Sequence, residues 1–248
     1  MLIKIFKYGK IVPTIMITQL VFVGHHKERV LESVRALREL PVSKIVLFVG
    51  EEDLPGEERA RMTAEEIKND LEAIYDVEIA RINKKNVIKA SEQLVDLIIR
   101  ERRRGKDIVI NASGSLRTLA IAGYIAACIT RSKIFTSIPR YDKVGEEVGI
   151  EEIIEVPTLL VNFFGEEQME ILEAIEDGVD SLDELIERTN PGIKKGSEEF
   201  FKERSRLSHH ITKLGRSGAV RKVRVGRNIR IELTPLGRLL VRGAGNET

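Results

Sequence analysis

SEEFFKERSRLSHHITKLGRSGAVRKVRVGRNIRIELTPLGRLLVR, residues 197–242, is the stretch from which the rest of the chain can be read. After Ser197, Phe200, Leu207, Ile211 and Leu214 recur at the spacing that keeps one helix face dry. The opposite face carries Lys202, Ser205, Arg206, His209 and Lys213, and Gly215 and Gly218 are expected to stop the helix. A period-2 pattern follows. Val223 and Val225 face one way and Arg224 the other, Gly226-Arg227-Asn228 turn, and Ile229, Ile231 and Leu233 alternate with Arg230 and Glu232. Pro235 then opens a short helix through Leu240. Helix, basic hairpin and helix in this order predict a winged helix-turn-helix on double-stranded DNA. Its expected contacts are Lys202, Ser205, Arg206, His209 and Lys213 on the helix and Arg224, Arg227 and Arg230 on the hairpin. Arg227 at the tip is expected on phosphate, and Ser205, Arg206 and His209 near base edges.

Charge supports this reading. The chain is almost neutral, with 40 Lys/Arg and 39 Asp/Glu, but the average hides two blocks. Residues 166–187 hold ten Asp/Glu and no Lys or Arg, whereas residues 188–243 hold fifteen Lys/Arg and four Asp/Glu. A local excess of that size is a footprint for a polyanion.

A chain of 248 residues holds one large or two small domains. Hydrophobic content of 42% is ample for a core, and 32% charge with three Gln, one Cys and no Trp resembles a thermophile's composition. The lone Cys128 lies in an apolar run and reads as a buried inert thiol, which excludes a disulfide scaffold. No uncharged apolar stretch reaches membrane-spanning length and the N-terminus lacks a signal-peptide pattern, so a cytoplasmic location without membrane partners is expected. Residues 1–15 read as detached, with Met16 as an alternative start.

Residues 17–156 alternate strand-like and helix-like runs. The strands are expected at 18–23, 44–49, 77–82, 107–110, 133–138 and 150–156, and the helices at 27–40, 56–75, 87–105 and 116–130. That rhythm means βαβ units and an α/β, mainly parallel, Rossmann-like sheet. In such sheets a ligand binds beyond the carboxyl ends of the strands where strand order reverses, usually between the first and fourth. Those two ends carry Gly24-His25-His26-Lys27 and Asn111-Ala112-Ser113-Gly114-Ser115-Leu116-Arg117. Small residues let a backbone approach a ligand, and Ser115 can cap a helix whose free amides attract an anion. The second loop is neither a Walker loop nor G-x-G-x-x-G, so a plain βα turn and a phosphate or nucleotide site both remain open.

The second loop resembles the small-residue loop after the fourth strand of CARF domains (CRISPR-associated Rossmann-fold domains), and Gly24-His25-His26-Lys27-Glu28-Arg29-Val30 resembles their other ligand loop. Here Ser113 stands where the family often has its first glycine, Leu116 is bulkier, and Arg117 stands near the usual Lys. A CARF domain followed by a winged helix is the layout of archaeal CRISPR-associated transcription regulators. The resemblance implies a sensing and dimerisation domain over residues 1–165 and a DNA-binding domain over 166–248. It implies a homodimer that binds a cyclic oligoadenylate, cyclic tetra-adenylate first, and regulates CRISPR-associated genes. Gly24, His25, His26, Lys27, Asn111, Ser113, Gly114, Ser115 and Arg117 would line the effector site. Some CARF proteins cleave their ring, so a ring nuclease using His25, Ser113 and Arg117 is the alternative, and the enzyme question stays open.

Between the two parts, 157–165 is too apolar for a flexible linker, and Phe163 and Phe164 suit either a two-fold contact or core packing. An acidic helix over 166–176 presents Met169, Leu172 and Ile175, and Ser181-Leu182-Asp183-Glu184 is a capping box opening a helix to Arg188. No metal or resident cofactor is expected. Adjacent histidines diverge by about 100° on a helix, and neither His25/His26 nor His209/His210 has a Cys or acidic partner at ligand spacing. Of the second pair, His210 is expected against the fold and His209 toward DNA.

Overall fold

The computed structural model describes residues 15–52, 56–114, 117–158, 164–225 and 228–244. The chain forms two compact units, Met1–Leu160 and Val161–Thr248.

The first unit is a six-stranded sheet between two helical layers. Its strands are β1 (Ile17–Phe22), β2 (Val42–Gly50), β3 (Asp76–Ile82), β4 (Asp107–Asn111), β5 (Lys133–Tyr141) and β6 (Glu147–Val156). Their helices are α1 (Lys27–Ala36), α2 (Glu57–Leu71), α3 (Val87–Arg103) and α4 (Arg117–Thr130). The order is β3-β2-β1-β4-β5-β6, parallel except for the antiparallel β6, so direction of winding reverses between β1 and β4. β1 is buried along its whole length, which is why its sequence reads as a nearly unbroken apolar run rather than an alternating one. On one face Val21, Val23, Ile45, Leu47 and Val49 pack against Val30, Leu31 and Val34 of α1 and Ala64, Ile67 and Leu71 of α2. α3 and α4 cover the other face, where Gly123 lets α4 sit against the Phe22 ring; a Cβ there would lie 2.8 Å from it.

β5 pairs with β4 only over Val109–Asn111, so the β5–β6 hairpin continues past the carboxyl edge of the central strands. Two irregularities in register, at Ile138/Pro139 and Arg140/Tyr141, let it bend. It lies along α1, fixed by Arg29 to Glu147 at 3.4 Å, Arg140 to Glu32 at 2.8 Å, and the Ile150 amide donating to Glu32 Oε2 at 2.8 Å.

The second unit contains α5 (Glu166–Ala174), α6 (Leu182–Thr189), α7 (Glu198–Arg216), the antiparallel hairpin β7 (Val220–Val225) and β8 (Asn228–Leu233), and α8 (Pro235–Ala244). Leu172, Leu185, Leu207, Ile211, Leu214, Ile231 and Leu233 form its core. Ser197 caps α7 by accepting from the Phe200 amide, and Ser181 caps α6 by accepting from Glu184 N. Glu184 returns to the Asp180 amide, one residue before the position a capping box would use. Gly215 is inside α7 rather than its stop; the turn out of the helix is made at Gly218, φ +78°. One feature has no sequence signature: Val179 exchanges both backbone hydrogen bonds with Ile231, at 2.8 and 2.9 Å, and ties the segment before α6 to the hairpin.

Candidate functional site

Winding reverses between β1 and β4, the place where a sheet of this kind offers a ligand crevice beyond the carboxyl ends of its strands. The two loops touch. A Cβ on Gly24 would lie 2.3 Å from the Gly114 carbonyl oxygen, and one on Gly114 would lie 2.4 Å from Val30 Cγ2 and 2.7 Å from the Phe22 carbonyl. Both glycines thus have a packing role, letting the two loops approach each other. Asn111 also acts internally. It is wholly buried, donates from Nδ2 to Ser33 Oγ at 3.0 Å and accepts from the Ser113 amide at 3.1 Å. Ser113 is 1% exposed, and its hydroxyl has no partner among the described residues. Ser115 and Leu116 lie outside the described residues.

His25 is exposed, with Nε2 2.9 Å from the Gly56 carbonyl. A carbonyl only accepts, so Nε2 carries the hydrogen and the ring anchors the β1 loop to the start of α2. His26 is exposed at the N-cap of α1 and makes no side-chain cap. Lys27 is turned to α2, 3.1 Å from Asp70 and 3.4 Å from Glu66, and the Asp70 hydrogen bond holds its ammonium above its ordinary pKa. Arg117 and Thr118 are exposed in the first turn of α4, and Thr118 donates to the Lys84 carbonyl at 3.3 Å. His25, His26, Ser113, Gly24, Gly114 and Arg117 are thus brought to one sheet edge, while Asn111 and Lys27 serve packing beneath and beside it.

A neighbouring network escaped the sequence reading. Glu57 accepts from the Gly50 amide at 3.0 Å and from Lys84 Nζ at 2.9 Å, and both side chains are almost buried. Glu51 accepts from Asn83 at 2.6 Å, Lys89 at 2.9 Å and Gln93 at 3.3 Å; the Asn83 bond first, then Lys89, hold its carboxyl below the usual range. Glu51-Glu52 follows β2 and Asn83-Lys84-Lys85 follows β3, the carboxyl ends of neighbouring parallel strands, which is the signal that could have placed them together.

In the second unit the expected contact residues divide. His209 and Lys213 are exposed on α7, Lys202 is exposed and 2.7 Å from Glu198, and Arg224 is exposed on β7. Ser205 is exposed and donates to the Phe201 carbonyl at 3.1 Å. Arg206 is held by Glu203 and Glu167. Arg230 is clasped by Asp180, the Asp177 carbonyl and Glu232, and the Asp180 bond raises its pKa further. Arg206 and Arg230 therefore stand as internal clasps in this structure. Gly226 and Arg227 lie outside the described residues, as does Phe163; Phe164 packs against the core. His210 is half-buried against α5, with Nε2 3.4 Å from Glu167. Burial, then the cations Arg206 and Lys213, press its pKa below the ordinary value despite that carboxylate, which Arg206 shares. No group of three or more His, Cys, Asp or Glu among the described residues could hold a metal ion, and no described helix is long and apolar enough to cross a membrane.

Comparison with known proteins gives a family and a relative. The profile of the family described as "HFX_2341_N:-like, N-terminal" matches residues 17–141, half of the chain. An uncharacterized protein of Archaeoglobus fulgidus is 29% identical over 187 residues, 74% of this chain and 81% of its own length. Among solved structures, Enterococcus italicus Csm6 bound to cyclic hexa-2'-fluoro-hexa-dAMP overlays 83% of this chain and 56% of its own at 10% identity and TM-score 0.44. Can2 from Sulfobacillus thermosulfidooxidans in complex with cyclic tetra-adenylate overlays 92% and 62% at 11% identity and TM-score 0.37. This chain thus spans less than two thirds of the length of either, and both scores are too low to carry a ligand over to it.

Proposed function

This chain belongs to the HFX_2341_N:-like, N-terminal family, and on that footing we propose that it is a homodimeric, ligand-responsive DNA-binding regulator. The observation that carries the reading is the second unit. α5, the Val179 bridge, α6, α7, a hairpin and α8 follow one another in the order of a winged helix-turn-helix. Its α7 shows exposed His209 and Lys213, and its hairpin shows exposed Arg221, Lys222 and Arg224. A helix fits a major groove while a basic hairpin holds phosphates.

The sheet domain is the sensor in this proposal, and its effector is a cyclic oligoadenylate, cyclic tetra-adenylate first. The loop resemblance supports it, as does the crevice chemistry: an unpartnered Ser113 hydroxyl, exposed His26 and an exposed Arg117 at the head of a helix. A ring of identical phosphates suits a site shared by two copies about a two-fold axis. Ile121 of α4 and Ile138 and Ile154 of the β5–β6 hairpin lie on the α3/α4 side of the sheet, each more than a third exposed, and offer the apolar surface for that pairing. Regulation would follow from unequal effector affinity for two arrangements of the dimer.

The test is calorimetric titration of the full-length protein with cyclic tetra- and hexa-adenylate, beside a mobility-shift assay on duplex DNA at several salt concentrations. Saturable heat is expected with one ring, and Arg117→Ala should weaken it about ten- to a hundredfold. DNA affinity should fall steeply with salt. No heat with either ring overturns the sensor half, and a salt-insensitive or absent shift overturns the DNA half.

A further inference from the structure

The cleft between α7 and the hairpin says which side of α7 reads bases, an inference that rests on the DNA-binding reading above. α7 presents two solvent stripes. Lys202, His209 and Lys213 follow i, i+7 and i+11 on one, with the clasped Arg206 between them; Phe201, Ser205 and Ser208 follow i, i+4 and i+7 on the other. The second stripe, with Arg204 and Leu182, lines a concave space of about 450 Å³. An adjoining space of about 330 Å³ shares Leu182 and Arg204 and is closed by Lys222, Ile229 and Ile231 of the hairpin. Cross-strand partners share a face, and Lys222 pairs with Ile231 and Arg224 with Ile229. Asp180 also lines this space but is paired with Arg230, so the hairpin's own charge there is Lys222, with Arg224 on the same face, which is complementary to a phosphate backbone entering beside it. The α7 wall is aromatic and hydroxylic.

Phe201 is 57% exposed in this otherwise charged setting. Its ring meets buried Phe200 edge-on, centroids 6.0 Å apart at 85°, which restricts its orientation before any partner arrives. On the major-groove edge of a base pair the distinctive apolar feature is the thymine 5-methyl group. One turn along, the Ser205 hydroxyl gives its hydrogen to the Phe201 carbonyl, so what it offers to solvent is acceptor capacity, suited to the exocyclic amine of adenine or cytosine. We propose that Phe201 contacts a thymine methyl and Ser205 accepts from a neighbouring base amine. The base-reading stripe of α7 is then the one turned toward the hairpin, and Lys202, His209 and Lys213 flank it as phosphate contacts.

The experiment starts with the full-length protein selecting from a random-sequence duplex pool. In the enriched duplex each thymine is then replaced singly by deoxyuridine, which lacks only the methyl. One such replacement should weaken the wild type about four-fold, the worth of one buried methyl. Phe201→Ala should weaken binding to the thymine duplex by a similar factor, become indifferent to thymine or deoxyuridine at that position, and keep the wild-type salt slope. Phe201→Gln serves the same comparison if the alanine variant does not fold. Selection without any preferred sequence, neutrality of every deoxyuridine duplex, or a Phe201 variant that keeps the methyl sensitivity overturns the inference while salt-dependent binding leaves the DNA reading standing. Absence of salt-dependent binding instead removes the reading beneath it.

Discussion

Two residues show how closely packing and site chemistry are interleaved in the sheet unit. Gly114 sits where a side chain would strike Val30 and the Phe22 carbonyl. Gly114→Val should therefore cost about 1–3 kcal/mol through overpacking, seen as a lower urea midpoint, and lose effector binding with it; a variant that lost binding at unchanged stability would return Gly114 to the ligand surface. At the opposite edge Glu101 is wholly buried, accepting from Thr18 Oγ1 at 2.9 Å, with Arg104 at 3.0 Å and Lys44, itself 7% exposed, at 3.6 Å. Burial pushes its pKa up, but the Thr18 bond and the cations Lys44, Lys106 and Arg104 outweigh burial and hold it below the ordinary 4.5. A lowered carboxyl stabilises fully above that ordinary value and loses its contribution as pH falls through the folded-state pKa. Glu101→Ala should cost roughly 1–3 kcal/mol near neutrality, because the buried Thr18 hydroxyl loses its acceptor while Lys44 keeps Glu78 at 2.8 Å. Below about pH 4.5 its stability profile should be flatter than that of the wild type in urea unfolding.

At the scale of elements, α7 is held on one flank by a histidine, His210, whose pKa burial lowers. His210 Nδ1 is buried without a partner among the described residues, and its lowered pKa means that the unfolded chain binds the proton more readily. Stability of the second unit should rise with pH up to about 6.5 and fall away below it. His210→Gln should remove that slope in thermal unfolding followed between pH 5 and 7, and an unaltered slope would clear His210 of the effect. Helices and strands were legible in the sequence because their signals are local: the apolar run of β1, the stripe of Phe200, Leu207, Ile211 and Leu214, and the caps Ser181 and Ser197. The β1/β4 reversal followed from alternation alone. What stayed hidden depends on distant neighbours. The Val179–Ile231 bridge is a single residue long, the Glu57–Lys84 pair joins positions 27 apart, and Glu167 on Arg206 and Asp180 on Arg230 come from distant parts of the chain. Gly215 misled because only Gly218 takes the positive φ that ends the helix.

For the whole molecule, the apolar surface at Ile121, Ile138 and Ile154 gives a direct check on assembly. On the proposed dimeric reading, Ile121→Asp combined with Ile154→Asp should give a monomer in sedimentation velocity where the wild type sediments as a dimer, with little change in unfolding, since both side chains are more than a third exposed; a dimer that survives both changes places the contact elsewhere. The β5–β6 hairpin has a mechanical side. Its two strands are bonded pair by pair from Ile134/Val156 to Tyr141/Glu147. The far end extends past the carboxyl edge of the central strands, braced on α1 through Arg29 and Glu32, and the near end is where the chain leaves the sheet. With ten residues in β6 at about 3.3 Å each, it is a long arm that bends at its two register irregularities. The near end is held by the sheet, since Val156 pairs with Ile134 and Ile134 with Ile110 of β4, whereas the far end rests on α1 through side-chain contacts, so removing Arg29 and Glu32 would loosen the far end first.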